Sequence, residues 1–436
     1  MTNRLLLLAA LALIALAAAP SAVASEYVPG QVIVKYKDGT TGAVKDAVDS
    51  YSGTEPRRAL PGGSTQLAIE DGESVARTAA ELSKDPNVAY AVPNYVARAA
   101  GAPLFPNDPG FRLQWNLNGP FSINMPDAWA LARSRHAPGG RGAVVAVLDT
   151  GVAYRNFKRY KRAPDLRFFT KGHDFVDGDD YPFDLNGHGT HVSGTIAQST
   201  NNRVGAAGIA YRARIMPLRV LDSEGAGDTI SIARAIRYAA RRRVDVINLS
   251  IEFDSSMRAS QIPDILSAIR YARRRNAVVV AAAGNQADAV VAYPARARGV
   301  IAVAATTFNG CEADYSNAGN DVDVSAPGGG VDAPNADNPW DAEHCRPDQG
   351  IHYIYQQTFT SNIRRFGLPR GYEGTSMAAP HVSALAAMII SSQVLGKNPK
   401  PTAVEQRLET TARDLGAPGF DNRYGHGLVD GAAVLR

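Results

Sequence analysis

The sequence has few of the features that mark several large protein classes. It contains only two cysteines in 436 residues, too few for a disulfide-built scaffold or a structural zinc site. Lysine and arginine form no run longer than three residues and the net charge is only +4, so nothing indicates a nucleic-acid partner. With 45% hydrophobic and 20% charged residues, the composition is typical of a globular protein. The length of the chain predicts two or three compact units.

The N-terminus is typical of a secretory signal peptide. A basic residue, Arg4, precedes the apolar run Leu5–Ala19, and the small residues Ala22-Val23-Ala24 follow. We therefore expect residues 1–24 to be a signal peptide that is cleaved after Ala24. A membrane anchor is the alternative, but the run is shorter than the ~20 residues that a spanning helix needs. The mature protein is expected outside the cell or in the periplasm, free of the membrane.

Export affects what is expected of the two cysteines. Cys311 and Cys345 lie in a stretch rich in Gly, Asp and Asn that is typical of a loop. In an oxidising compartment we expect them to form a disulfide, with two free thiols as the alternative. Closing a loop of this length stabilises a fold by roughly 3–4 kcal/mol in the chain-entropy model.

Residues 25–100 have the pattern of a small α+β unit. Gln31–Tyr36 alternates apolar and polar residues as a strand does, Glu73–Ser83 is helix-like, and Val88–Val92 is a second candidate strand. The stretch Ala97–Asp108, rich in Ala, Gly and Pro, is a plausible exposed boundary.

From about Ala143 onward, short runs of branched apolar residues alternate with helix-like stretches. This alternation predicts an α/β fold around a parallel sheet that helices cover on both faces. Chemistry in such folds lies beyond the carboxyl ends of the strands. The expected strands are Ala143–Leu148, Arg214–Val220, Val244–Leu249, Val278–Ala282 and Val300–Ala304, and the clearest helices are Thr229–Arg241 and Ile262–Arg275.

Three short motifs carry residues that suit nucleophilic catalysis. Asp149 ends a buried strand, His188 lies in Asn186–Thr195, and Ser376 lies in Gly374–Val382, each of the last two at the expected start of a helix. A serine hydroxyl needs a base to remove its proton, and a histidine held by a carboxylate is such a base. A zinc-protease motif would need Glu where Gly189 stands, and an esterase elbow would need Gly where Ala378 stands.

Because the three residues occur in the order Asp, His, Ser, the chain resembles the subtilisin-like serine proteases. The resemblance covers nearly all of the sequence from Ser25 to Arg436. The resemblance implies a three-layer fold with a mostly parallel central sheet, residues 101–436 being the catalytic domain. It also implies that Asp149 orients His188, that His188 is the general base and that Ser376 is the nucleophile. Asn285 matches the asparagine of the oxyanion hole and would act with the Ser376 N–H. An inactive peptide-binding relative and a serine esterase are the alternatives.

The resemblance further implies a polypeptide substrate that lies as an extended strand between two segments, Gly225-Ala226-Gly227 and Ser250-Ile251-Glu252. Glu252 departs from the family pattern, which has glycine at this place. A carboxylate there would attract a basic side chain, or it lies in solvent at a strand edge, so the side-chain preference stays open.

By the same resemblance, residues 25–100 are an inhibitory propeptide that templates folding. The cut is expected after Ala100, with Arg98 as the competing site because of Glu252. A structural Ca²⁺ site is also implied, and a monomer that binds no nucleic acid is expected. The implied calcium ligands are Asp108, Asp165, Thr200, Asn202, Val204 and Ala206, of which Thr200, Val204 and Ala206 contribute carbonyl oxygens.

Overall fold

The structure is a computed structural model that describes residues 27–95 and 102–436. The expected signal peptide and the expected maturation sites at Arg98 and Ala100 lie outside these described residues. The chain divides into two compact units, Met1–Ala100 and Gly101–Arg436. Among the described helices, none is both long enough and apolar enough to cross a membrane.

The first unit is an antiparallel sheet with two helices. The sheet has the order β2-β3-β1-β4, and every pair in it is antiparallel. Its core is formed by apolar residues of the strands and of α2, among them Val32, Leu67 and Leu82. The elements are β1 (Tyr27–Tyr36), α1 (Gly42–Tyr51), β2 (Thr54–Ala59), β3 (Ser64–Ile69), α2 (Val75–Leu82) and β4 (Val88–Tyr95).

The prediction of an α+β unit is confirmed, but it was incomplete. The expected strand Gln31–Tyr36 lies within β1, the expected helix corresponds to α2, and Val88–Val92 lies within β4. Three elements, α1, β2 and β3, were missed. Strand β2 is exposed from its second residue onward, so it lacks the apolar alternation from which a strand is predicted.

The second unit contains a larger set of elements. In chain order they are α3 (Met125–Ser134), β5 (Val144–Asp149), β6 (His173–Asp174), α4 (His188–Ala197), β7 (Arg214–Arg219), α5 (Thr229–Arg241), β8 (Val246–Leu249), α6 (Pro263–Arg274), β9 (Val278–Ala282), β10 (Ile301–Thr306), β11 (Val324–Pro327), α7 (Pro339–His344), β12 (Thr358–Phe359), β13 (Phe366–Gly367), α8 (Thr375–Ser392), α9 (Pro401–Thr410) and α10 (Gly431–Leu435).

A seven-stranded parallel sheet forms the middle of three layers. Its order is β11-β10-β9-β8-β5-β7-β6. Side chains of a strand alternate between the two faces of a sheet. Accordingly Val145 and Val147 of β5 join the core formed with α4 and α8, whereas Ala146 and Leu148 join the core formed with α5 and α6. The expected three-layer fold is confirmed.

The sheet brings the ends of several strands to one edge. Strand β5 has β7 on one side and β8 on the other, so the strand order changes direction at β5. Crevices at such points are where open α/β sheets bind ligands. Asp149 ends β5, Ser250 follows β8, and Asn285 lies three residues after the end of β9. The fold thus gathers residues that are far apart in sequence.

The two cysteines form the expected disulfide. Cys311 and Cys345 are bonded with their Cα atoms 5.6 Å apart. Both are buried, with 0% and 6% of their surfaces exposed. The bond closes a loop of 34 positions that contains β11 and α7.

Candidate active site

Asp149 and His188 form a direct hydrogen-bonded pair. Asp149 is fully buried at the end of β5, and His188 is the first residue of α4. The Asp149 Oδ1 atom lies 2.7 Å from His188 Nδ1 and also accepts the Thr150 N–H at 2.8 Å. A carboxylate at Nδ1 fixes the proton there and leaves Nε2 of His188 as the basic nitrogen.

The surroundings of His188 favour its protonation. Burial opposes the charged imidazolium, but the charge and hydrogen bond of Asp149 outweigh it, so the pKa of His188 lies above its usual value. One quarter of the His188 side chain remains exposed. The ring is thus able to exchange a proton with a group in the cleft.

Asp184 fixes the loop that leads into α4, and sequence reasoning missed it. It is buried, and its Oδ1 accepts the N–H groups of Asn186 at 2.9 Å and Gly187 at 2.8 Å. Its Oδ2 accepts the N–H and the hydroxyl of Thr190. Burial raises the pKa of Asp184, and these hydrogen bonds oppose the rise. An acidic residue just before a helix that begins at His188 was the available signal.

Ser376 lies in the first turn of α8, the long buried helix behind the sheet. Its hydroxyl lies 3.3 Å from the Ser250 carbonyl oxygen, and its own carbonyl accepts the Ser250 hydroxyl at 2.8 Å. No hydrogen bond joins Ser376 to His188 in the described residues, although both line the same cleft. Rotation about one side-chain bond redirects Oγ, and catalytic hydrogen bonds often tighten only with substrate bound.

Hydrogen bonds hold the side-chain oxygen of Asn285, so its amide nitrogen is the group that can donate a hydrogen bond into the cleft. Its Oδ1 accepts the Thr375 N–H at 2.7 Å and the Thr375 hydroxyl at 2.9 Å. These bonds occupy Oδ1, so that Nδ2 is the group of the Asn285 amide that can donate to a ligand in the cleft. Thr375 is the first residue of α8, so the same helix positions both Asn285 and Ser376.

The cleft at this edge of the sheet has a volume of about 490 Å³. It contains His188, Ser376 and Asn285, and both segments expected to bind substrate lie along it. Asp149 lies beneath His188 rather than in the lining. The lining residues are Thr150, Asn186, His188, Leu221, Glu224, Gly225, Ala226, Gly227, Ile232, Ser250, Ile251, Glu252, Phe253, Asn285 and Ser376.

His191, three residues after His188, lies in the protein core rather than in the cleft. It is fully buried, its Nε2 lies 2.9 Å from the Ile354 carbonyl oxygen, and its ring stacks on Tyr372. Burial lowers the pKa of His191 to about 3. The two histidines therefore do not share a metal-type site.

The residues expected to bind calcium also lie together. Asp108 and Asp165 are 4% and 1% exposed. Asp108 accepts the N–H groups of Asn201 at 2.6 Å and Asn202 at 2.9 Å. Asp165 accepts the Asn202 side-chain amide at 2.7 Å. Burial raises the pKa of Asp165 to about 6, although its amide hydrogen bonds oppose the rise, and nearby Asp108 adds to it.

The loop that would supply the calcium carbonyl ligands has an unusual backbone. Asn201 and Arg203 have positive φ values of 61° and 64°, which are uncommon for residues other than glycine. Such strain is often found at ligand clamps. Two buried carboxylates, an amide side chain and a loop of this kind fit a hard cation such as Ca²⁺. The loop contains Thr200, Val204 and Ala206.

A second acidic group, not expected from the sequence, lies elsewhere in the second unit. Carboxylate oxygens of Asp323, Glu405 and Glu409 lie within 4.8 Å of one another. Arg273 is ion-paired with Glu405 at 3.2 Å, and Asp323 accepts the Ala302 N–H at 2.7 Å. These contacts partly compensate the negative charge of the three carboxylates without a bound cation.

Comparison with protein families decides the relationship. The model of the subtilase family matches residues 140–427 of the chain. The chain belongs to the subtilase family. In addition, the model of the fervidolysin N-terminal prodomain matches residues 15–94. The chain is thus a subtilisin-like serine protease with an N-terminal prodomain.

Individual relatives agree with this assignment. A thermophilic serine proteinase of Bacillus sp. (strain AK1) is 35% identical over 92% of this chain and 86% of its own length. An extracellular protease of Xanthomonas campestris pv. campestris is 32% identical over 100% of this chain and 79% of its own. Among solved structures, proteases from Pseudoalteromonas arctica PAMC 21717 match with a TM-score of 0.61 and 32% identity, covering 76% of this chain and 98% of that one.

Proposed function

We propose that this subtilase is an endopeptidase that works through an acyl-enzyme formed on Ser376. The observation that carries the proposal is the 2.7 Å contact between Asp149 and His188, at a cleft that also contains Ser376 and Asn285. His188 Nε2 takes the hydroxyl proton of Ser376 as its Oγ attacks the peptide carbonyl carbon. Asp149 keeps the other proton on Nδ1 and stabilises the imidazolium.

The negative charge that develops on the carbonyl oxygen needs hydrogen-bond donors fixed in advance. Asn285 Nδ2 and the Ser376 N–H at the start of α8 supply them, and the positive end of the helix dipole adds to their effect. His188 then protonates the leaving amine and later activates the water that releases the acyl group. Backbone hydrogen bonds to Gly225–Gly227 and Ser250–Glu252 hold the substrate as a strand.

We also propose that the chain is exported and made as a zymogen. The signal motif in residues 1–24 and the extracellular relative from Xanthomonas support export. The prodomain match supports a propeptide over residues 25–100 that inhibits residues 101–436 until it is removed. Sequencing the mature N-terminus tests the boundary: Gly101 places the cut after Ala100, and Ala99 places it after Arg98.

A structural Ca²⁺ is the cofactor that we propose. Asp108, Asp165 and Asn202 would hold it with their side chains, and carbonyl oxygens of Thr200, Val204 and Ala206 would complete the shell. The ion would neutralise two buried carboxylates and tie the residues before α3 to the loop after α4. It would have no part in the peptide-bond chemistry.

Labelling with a fluorophosphonate tests the catalytic proposal. The secreted wild-type protein should be labelled and should hydrolyse casein, whereas Ser376→Ala should do neither and should keep its propeptide. Ser391→Ala is a matched control, because Ser391 lies in α8 and, among the described residues, its hydroxyl bonds only to the Met388 carbonyl of the same helix. Normal labelling of Ser376→Ala in a host without similar proteases would refute the assignment.

A further inference from the structure

Glu252 occupies the cleft in a way that the sequence did not reveal. It comes three residues after β8 and reaches across to the segment that follows β9. Its Oε2 accepts the Asn285 N–H at 2.6 Å, and its Oε1 lies 3.4 Å from Asn285 Nδ2. The carboxylate therefore lies beside the amide that we propose as an oxyanion donor.

This position fixes which part of a substrate meets the carboxylate. If Asn285 Nδ2 holds the carbonyl oxygen of the cleaved bond, the Cα of the residue before that bond is only two covalent bonds from this oxygen, through the carbonyl carbon. A carboxylate oxygen 3.4 Å from Nδ2 then lies within reach of the side chain on that Cα. Glu252 is thus positioned to contact that side chain, and this step rests on the proposed function.

The charges of the cleft point to the kind of side chain it accepts. Glu224 and Glu252 both line the cleft, and its described lining contains no lysine or arginine. The chain as a whole has a net charge of +4, so negative charge is concentrated at the site. A neutral side chain that covers Glu252 would remove water from a carboxylate without replacing it by a cation, which is unfavourable. A guanidinium or ammonium group compensates the same charge.

We propose that Glu252 makes this protease selective for a positively charged side chain at the residue before the cleaved bond. Among the described residues, the only hydrogen-bond partner of Oε1 is Asn285 Nδ2 at 3.4 Å, so Oε1 is available to a substrate cation while Oε2 stays bonded to the Asn285 N–H. An acidic side chain is repelled at the same place. The preference favours Arg98 over Ala100 at the maturation cut, the reverse of the order expected from the sequence.

A set of peptides that differ only at this residue tests the proposal. The probes carry arginine, norleucine, alanine or glutamate before the same leaving group, and kcat/KM is measured with wild type and Glu252→Gln. Glutamine has the same size without the charge. Any effect of the substitution on Asn285 acts on all four substrates alike, so it cancels in the ratio of arginine to norleucine.

We expect this ratio to fall about ten- to hundred-fold in Glu252→Gln, the size that a charged hydrogen bond supplies, and to fall with added salt in wild type. Glu224→Gln is the matched control: it removes a carboxylate that is more exposed than that of Glu252 and that has no hydrogen bond to Asn285 in the part of the chain that the structure describes. This substitution should change the ratio less than about threefold.

Three results would overturn the proposal. In the first, a wild-type enzyme that fluorophosphonate labels cleaves the arginine and norleucine peptides equally. This result refutes the role of Glu252 and leaves the proposed function standing. A wild-type preference for alanine over both, relieved in Glu252→Gly, shows that the side chain closes the pocket rather than pairing with a cation. Absence of any labelling refutes the proposed function and this inference with it.

Discussion

Replacing Asp149 with asparagine tests what the buried carboxylate does for His188. In the native protein Oδ1 bonds both the Thr150 N–H and His188 Nδ1. Asparagine keeps the shape, so the fold should survive, but it removes the charge that stabilises the imidazolium. Its amide can also donate to Nδ1 and so place the proton of neutral His188 on Nε2, the nitrogen that must act as the base. Comparable substitutions in serine protease triads lower turnover by about 10⁴-fold, which corresponds to roughly 5.5 kcal/mol of transition-state stabilisation. We expect a loss of this size.

The same substitution should move the pH dependence of the residual activity. His188 must be neutral to act as a base, so kcat/KM falls as the pH drops through the pKa of His188. Asp149 raises this pKa against the effect of burial. With the carboxylate gone, burial remains, and the pKa should fall below its usual value of about 6.5. The acidic limb should therefore lie above about 6.5 in wild type and below it in Asp149→Asn.

The assay is kcat/KM for a chromogenic peptide across the acidic and alkaline limbs of the profile. The variant is matured by immobilised wild-type enzyme, which is then removed, so that a failure of self-cleavage does not confuse the result. A Tm close to that of the wild-type enzyme serves as the folding control. A loss below about tenfold, or an acidic limb that does not move, would refute the role assigned to Asp149.

Chelation by EGTA should lower the Tm of the inhibited mature enzyme, because an ion at Asp165 stabilises only the folded state; an unchanged Tm contradicts the calcium proposal. Replacing both Cys311 and Cys345 with serine should lower the free energy of unfolding, measured in urea, by roughly 3–4 kcal/mol. A negligible loss would contradict a stabilising role of the disulfide.

The second unit was the easier part to predict because the strands of its central sheet are buried on both faces. Continuous apolar runs predicted five of its strands within two residues at each end, and Thr229–Arg241 matches α5 at both ends. Strand β6 has only two residues, which is too short to leave a pattern. In the first unit, β2 reads Thr54–Ala59 with Pro56 and two arginines, a composition typical of an exposed edge strand rather than of a core.

The roles proposed for the site came from motifs, whereas its supporting contacts needed the fold. The residue types in the motifs suggested Asp149, His188 and Ser376 because their chemistry is specific. Nothing in the sequence shows that Thr375 holds Asn285 or that Glu252 reaches it, since β8 and β9 become neighbours only in the sheet. Hydrogen bonds between segments far apart in sequence depend on register and rotamer, which composition and periodicity do not encode.

Main-chain donors, rather than lysine or arginine, hold the acidic groups of this site. Thr150 N–H bonds Asp149, and Asn285 N–H bonds Glu252, and neither carboxylate is ion-paired with lysine or arginine in the described parts of the chain. A hydrogen bond from the main chain fixes a carboxylate without cancelling its net charge, whereas an ion pair would do both. The negative charge of Asp149 thus remains available to His188, and that of Glu252 to a substrate cation.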